Sequence, residues 1–239
     1  MRTTPDIDSL AVLIDADNTS WQYAKVIFDE IAKFGNANVR RIYGDFSGPR
    51  LSGWNNAIES LAILQHQQWT NSTGKNASDI ALVIDAMDLM YKGRLDGFCL
   101  VSSDSDFTRL AQRLREDGLI VYGFGEQKTP ESFRNACTRF TYLENLHSQE
   151  ISEERPSKSS VKQTKFHPKD AVPIIIKVMG HPDDDEWGNL ATIGARIQGT
   201  HPDFDPRTYG CSNLSKLVEE SGRFESKRTG QTVLVRAKA

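Results

Sequence analysis

"FCLVSSDSDFTRL", residues 98–110, decides the fold. Phe98 to Val101 read as a strand buried on both faces, and Ser102, Ser103, Asp104, Ser105 and Asp106 follow at once. A continuous apolar run that breaks into hydroxyls and carboxylates is the pattern of a parallel strand ending in a loop. The loop opens a helix whose apolar positions are Phe107, Leu110, Ala111 and Leu114, with Gly118 as the stop. Two carboxylates this close in a half-buried turn repel each other unless something positive lies between them.

Upstream, Leu10 to Ile14 form a second continuous apolar run, and it too ends on an acid, Asp15. Further strands are expected at Val39 to Tyr43, Leu61 to Gln65 and Leu119 to Phe124. Helical patterns lie between them: Tyr23, Val26, Ile27 and Ile31 with Phe34-Gly35 as the stop, then Ile80, Val83, Ile84 and Met87. Strands alternating with helices predict an α/β domain with a parallel sheet over residues 1–147, in strand order 3-2-1-4-5.

The stretch 148–169 is polar and apolar-poor, and carries Arg155, Lys158, Lys162, Lys165 and Lys169 with no acid after Glu154. It reads as a flexible linker with a basic second half. Beyond it, residues 170–239 contain three helical patterns, Val172 to Met179, Leu190 to Ile197 and Leu214 to Val218. Two short strands around Thr229-Gly230 complete the outline of a small winged helix-turn-helix. "HPDDD" at 181 and "HPDFD" at 201 are read as turn and N-cap sequences.

The bulk composition is that of an ordinary soluble globular protein. In 239 residues, 38% are hydrophobic and 26% charged, and the net charge of -3 does not announce a nucleic-acid partner. Cys99, Cys137 and Cys211 are odd in number and without CxxC spacing, which points away from a disulfide framework or zinc and toward a reducing cytoplasm. The sequence MRTTPDIDSL has no apolar signal region, and no run approaches the roughly 18 residues of a membrane span. No membrane association is expected.

In an open parallel sheet, ligands bind beyond the carboxyl ends of the strands where strand order reverses. Strand order 3-2-1-4-5 makes Asp15 and Asp104 neighbours there. Asp79 opens the helix "SDIALVIDAMDLM", with Ser78 as its expected N-cap, and Asp106 follows at the mouth of the next helix. Each acid alone could cap a helix. Four at one sheet edge suit a hard cation, Mg²⁺ or Mn²⁺, able to activate water for phosphodiester hydrolysis. Asp85 and Asp88 are expected on the surface.

"LIDADNT" also fits the DxDxT nucleophile signature of haloacid-dehalogenase-type phosphatases, with Asp15 attacking phosphate. The remaining motifs of that class are missing: Asp104 and Asp106 are too close together, and Lys75 precedes rather than follows the fourth strand. "TGKN" lacks the glycine and hydroxyl of a phosphate loop, having Trp69 and Asn76 instead.

"LIDADN", "SDIALVIDAMDLM" and "LVSSDSDF" resemble the three motifs of the NYN family, a branch of the PIN-like nucleases, over residues 8–146. The resemblance implies a PIN-like sheet and a Mg²⁺- or Mn²⁺-dependent ribonuclease acting on single-stranded or structured RNA. It also implies Asp15, Asp79, Asp104 and Asp106 as metal ligands, supported by Asn18 and Ser102. The segment from Asn189 to Arg228 is similar to the LOTUS, or OST-HTH, domain, a winged helix associated with RNA. Tyr209-Gly210 and Leu214 match its pattern around the third helix. Arg207, Lys216, Arg223, Lys227, Arg228 and Arg236 could neutralise phosphates there. Lys75 and, more weakly, Arg109 are candidates to steer phosphate to the acids. A homodimer is compatible with nucleases of this type, although no motif specifies one. The expectation is a cytoplasmic two-domain ribonuclease, with RNA binding without turnover as the alternative.

Overall fold

The computed structural model describes residues 8–69, 76–150, 166–179 and 187–238, and the chain divides into two compact units, Met1–Arg155 and Pro156–Ala239. The expected linker lies mostly outside the described residues.

The first unit is a parallel sheet covered on both faces. Its strands are β1 (Asp8–Asp15), β2 (Gly35–Gly44), β3 (Leu64–Gln67), β4 (Gly97–Val101), β5 (Ile120–Gly125) and β6 (Arg139–Tyr142). They run in the order β3-β2-β1-β4-β5-β6, all pairs parallel. The expected order is present with one more strand, β6, which the sequence reading missed. The helices of this unit are α1 (Ala24–Ile31), α2 (Trp54–Ser60), α3 (Ala77–Tyr91), α4 (Thr108–Glu116), α5 (Glu131–Ala136) and α6 (Leu143–Glu150). One core layer packs α3 and α4 on the sheet through Leu82, Ala86, Phe107 and Leu114; the other packs α1 through Ile27 and Ile31.

Several local expectations are corrected. The third strand begins at Leu64, because Leu61 ends α2 and Ala62 turns the chain with φ of 52°. Gly35 is not a helix stop but the first residue of β2: a Cβ there would lie 2.4 Å from the Asp8 carbonyl oxygen. On α3 the face toward the core is Ser78, Leu82, Ala86, Leu89 and Met90, whereas Ile80 and Ile84 are exposed at 61% and 56%. A helix apolar nearly all round carries no phase from which its buried face can be read.

The second unit comprises α7 (Val172–Met179), β7 (Gly188–Asn189), α8 (Leu190–Thr200), α9 (Leu214–Ser221), β8 (Phe224–Thr229) and β9 (Thr232–Ala237). Its core joins Ile175, Ile193, Ile197, Leu217, Val218 and Val235. β8 and β9 pair antiparallel with Thr229 opposite Thr232, so the turn is Gly230-Gln231, and Gly230 takes φ of 61° as a two-residue hairpin requires. β7 adds to β9 in the order β7-β9-β8. The three helices and the wing are as expected. Asp205 caps a short 3-10 turn by accepting the Arg207 N–H at 2.9 Å, the role read from "HPDFD"; "HPDDD" lies outside the described residues.

Candidate active site

The expected acids reach the carboxyl edge of the sheet from three elements. Asp15 ends β1, Asp79 lies in the first turn of α3, and Asp104 and Asp106 lie where β4 passes through a 3-10 turn into α4. β1 and β4 are paired neighbours at the reversal of strand order, which is why loops so distant in sequence meet.

Asp15 is 1% exposed, and the chain's own donors saturate it. Oδ1 accepts the backbone N–H groups of Asp17 at 3.1 Å and Asn18 at 3.2 Å; Oδ2 accepts Asn18 Nδ2 at 2.8 Å and Ser102 Oγ at 2.7 Å. A carboxylate offers about four lone-pair sites, and all are used. Burial pushes its pKa up, against the hydrogen bonds from Ser102 and Asn18. Ser102 also accepts the Asp104 N–H at 3.1 Å, so a single hydroxyl ties the β4 loop to the end of β1.

Asp104 does cap its turn, accepting the Asp106 N–H at 2.9 Å. Ser78 is not the N-cap of α3; Asn76 occupies that position, and the Ser78 hydroxyl donates to Asp17 at 3.0 Å. Asn76 Nδ2 donates to Asp106 at 3.4 Å. Asp79 is pushed up to about 6, first by burial and then by the charges of Asp15, Asp104, Asp17 and Asp106. The part of that shift that follows burial is the mutual repulsion of a gathered cluster.

Among the described residues, no three His, Cys, Asp or Glu side chains close to ligating geometry. The inward saturation of Asp15 accounts for one corner of this. The donor set nevertheless fits a divalent ion: every group is a hard oxygen, and negative charge is in excess, with the Asp79 pKa raised first by burial and then by the charges around it. Rotation of the Ser102 hydroxyl would free one oxygen of Asp15.

The sequence reading missed Asp17 and Arg50. Asp17 receives Ser78, adds its charge to the field on Asp79, and is ion-paired with Arg50 from the loop after β2. Its signal was the second acid of "LIDADN". Asp85 is not a free surface group: it accepts Arg41 and Tyr43 Oη at 2.7 Å each and is 22% exposed. Arg109 is paired at 3.1 Å with Glu116 along its own helix. Lys75 lies outside the described residues.

In the second unit the expected cations divide into two sets. Arg207 is 15% exposed and grips Asp205 through Nε at 3.0 Å and 2.9 Å and through Nη2 at 2.6 Å. Lys216 pairs with Glu220 at 3.6 Å on α9. Arg223, Lys227 and Arg228 are exposed. Lys227 lies over the Trp187 ring at 3.9 Å, and Arg236 over the same ring at 5.0 Å while pairing with Glu225. Nothing in the local sequence marks Trp187 as the ring on which these two cations meet.

Comparison with known families agrees with this architecture. The NYN domain model matches residues 9–144, and the OST-HTH/LOTUS domain model matches residues 162–235. No curated protein matches. Among solved structures, a protein of unknown function, VPA0982 from Vibrio parahaemolyticus, is similar at 15% identity with a TM-score of 0.49, covering 58% of this chain and 94% of that one. NYN domains are PIN-like and nuclease-like, and OST-HTH domains are of an RNA-binding type. The chain belongs to the NYN domain family, with an OST-HTH/LOTUS domain following its NYN domain.

Proposed function

We propose that the protein is a divalent-metal-dependent ribonuclease, acting in the cytoplasm, whose C-terminal unit binds the RNA that the N-terminal unit cuts. The observation that carries this reading is that three elements bring Asp15, Asp79, Asp104 and Asp106, with Asp17 beside them, to the carboxyl edge of the sheet where strand order reverses. Asp15, Asp79, Asp104 and Asp106 would hold Mg²⁺ or Mn²⁺, which when bound supplies Lewis acidity to water and to the phosphoryl oxygens. Asn18 and the backbone of the first loop fix the Asp15 carboxylate, and Ser102 sets its spacing from Asp104. Water oxygen adds to phosphorus as the bond to the leaving oxygen breaks, giving one product a phosphate monoester and the other a hydroxyl. On the C-terminal unit, Arg223 and Arg228, and Lys227 from its place over the Trp187 ring, are the expected cations exposed to meet phosphate. Arg207 is committed to Asp205, and Lys216 is a surface pair of small worth.

A second reading, RNA binding without turnover, draws on the saturation of Asp15. The covalent phosphatase alternative rests on its first motif alone, since the lysine and the spaced acids of its later motifs are missing from the sequence. Incubating end-labelled RNA with the full chain in Mn²⁺ or Mg²⁺, with EDTA controls, separates the first two. Metal-dependent cutting is expected; intact RNA that is nonetheless bound would favour the second reading.

A further inference from the structure

Two contacts zip the loop after β1 to the loop after β2. Asp17 holds the Arg50 guanidinium, and four residues on, the Trp21 indole lies against the backbone of Gly53. A Cβ at Gly53 would come within 2.3 Å of the indole Cδ1 and Nε1, so only a glycine leaves the ring room there. The two side chains are open to solvent, Trp21 at 49% and Arg50 at 65%. Among the described residues, Arg50 is the cation that the structure pairs with a carboxylate of the cluster. A pair this exposed is worth little, so the guanidinium can leave Asp17 for a better anion. Its planar fork matches phosphate. An exposed indole and a phosphate-matching cation that bridge the same two loops, at Gly53 and at Asp17, are the kinds of group that hold an unstacked nucleotide.

We propose that Arg50 and Trp21 form the subsite for the nucleotide adjoining the cleaved bond, Arg50 taking its phosphate and Trp21 its base. This rests on the ribonuclease reading and deepens it: the strand crosses the acids on the β1–β2 side, and the segment there is single-stranded, because a paired base cannot turn onto the indole.

The test uses the full chain and a short single-stranded RNA. In the Asp104→Asn background, which leaves the RNA uncut, 2-aminopurine is placed at successive positions and its fluorescence read on binding. Quenching at one position is expected, and Trp21→Ala should abolish it. Gly53→Ala, which displaces the indole without altering it, should do the same. In the parent protein, removing the base at that position should slow single-turnover cleavage about tenfold or more, the worth of one stack. Trp21→Ala should cut the intact RNA equally slowly and be indifferent to the missing base. Arg50→Ala should raise KM more than it lowers kcat and flatten the salt dependence of binding by about 0.7 in log–log slope, the share of one single-strand phosphate. Melting temperatures identify any variant that has lost its fold.

Position-specific quenching that survives both Trp21→Ala and Gly53→Ala overturns the base subsite, and an unchanged KM and salt slope in Arg50→Ala overturns the phosphate subsite. A fully paired duplex cut as fast as the single strand overturns the single-strand claim. A parent protein that cuts nothing defeats the ribonuclease reading instead, and the quenching and salt-slope arms then decide the subsite alone.

Discussion

The two units treat charge in opposite ways. In the C-terminal unit four of the six candidate cations are partnered at short range, Arg207 with Asp205, Lys216 with Glu220, Arg236 with Glu225 and Lys227 on Trp187, while Arg223 and Arg228 are exposed. At the edge of the N-terminal sheet, five carboxylates share one field, and Arg50 is the cation paired with them among the described residues. Local consistency of the first kind stabilises a fold, whereas unrelieved repulsion persists where something other than stability has been selected. Charge in a sequence is therefore informative only together with its neighbours in space. A basic-looking helix can be neutral once its neighbours are counted, and an acidic loop can be more extreme than its sequence suggests.

The largest effect is expected at Asp104. Asp104→Asn should reduce metal-dependent RNA cleavage by about a thousandfold, the scale of several kcal/mol of lost transition-state charge stabilisation, with no fall in melting temperature. Single-turnover cleavage beside a thermal melt checks both halves. At the opposite pole, Arg207→Ala should destabilise the protein by about 2 kcal/mol, because Asp205, 5% exposed, would be left buried without its partner. Chemical denaturation measures it, and RNA affinity should be unaffected at temperatures where the variant is folded.

Asp79 gives a prediction of reversed sign. Its pKa is raised in the folded state to about 6 from 3.8, so the folded state binds the proton more tightly than the unfolded chain. The penalty is therefore fully present above pH 6 and fades as pH falls toward 4. Asp79→Asn should stabilise the metal-free protein at pH 7 by about 1 kcal/mol, discounted for its partial exposure. It should also flatten the pH dependence of the melt across that window. Addition of Mn²⁺ to the parent should raise the melting temperature at pH 7 and less so at pH 5, where protons compete for the same oxygens. The smallest effect belongs to Lys216→Ala, which should change stability by less than about 0.5 kcal/mol, since its pair is exposed. A larger loss would mean that the surface pairs of the second unit bear more than the comparison allows.

Much of the architecture was legible because buried parallel strands announce themselves. Leu10 to Ile14 and Phe98 to Val101 are continuous apolar runs, the first followed at once by Asp15 and the second by the loop that carries Asp104 and Asp106. β6 escaped because Arg139-Phe-Thr-Tyr is short and carries a charge at its start. α2 escaped because its described buried residue is a single one, Trp54, too few to show a period. The face of α3 was misread because Ile80 and Ile84, both exposed, carry the same apolar label as Leu82 and Ala86. At the site, the acids could be listed from the loops, since loop position needs no phase. The hydrogen bonds that saturate Asp15 and the pair between Asp17 and Arg50 depend on tertiary approach across loops, and no spacing encodes that.

The bond from Ser102 to Asp15 joins residues 87 apart in the chain. Closing so long a loop is an entropic cost that only β4 docking against β1 repays. A growing chain that has emerged only as far as α3 thus holds Asp15, Asp17 and Asp79 without Asp104, Asp106 or the hydroxyl that spaces them. The cluster, and the repulsion that comes with it, is therefore assembled only once β4 has docked beside β1.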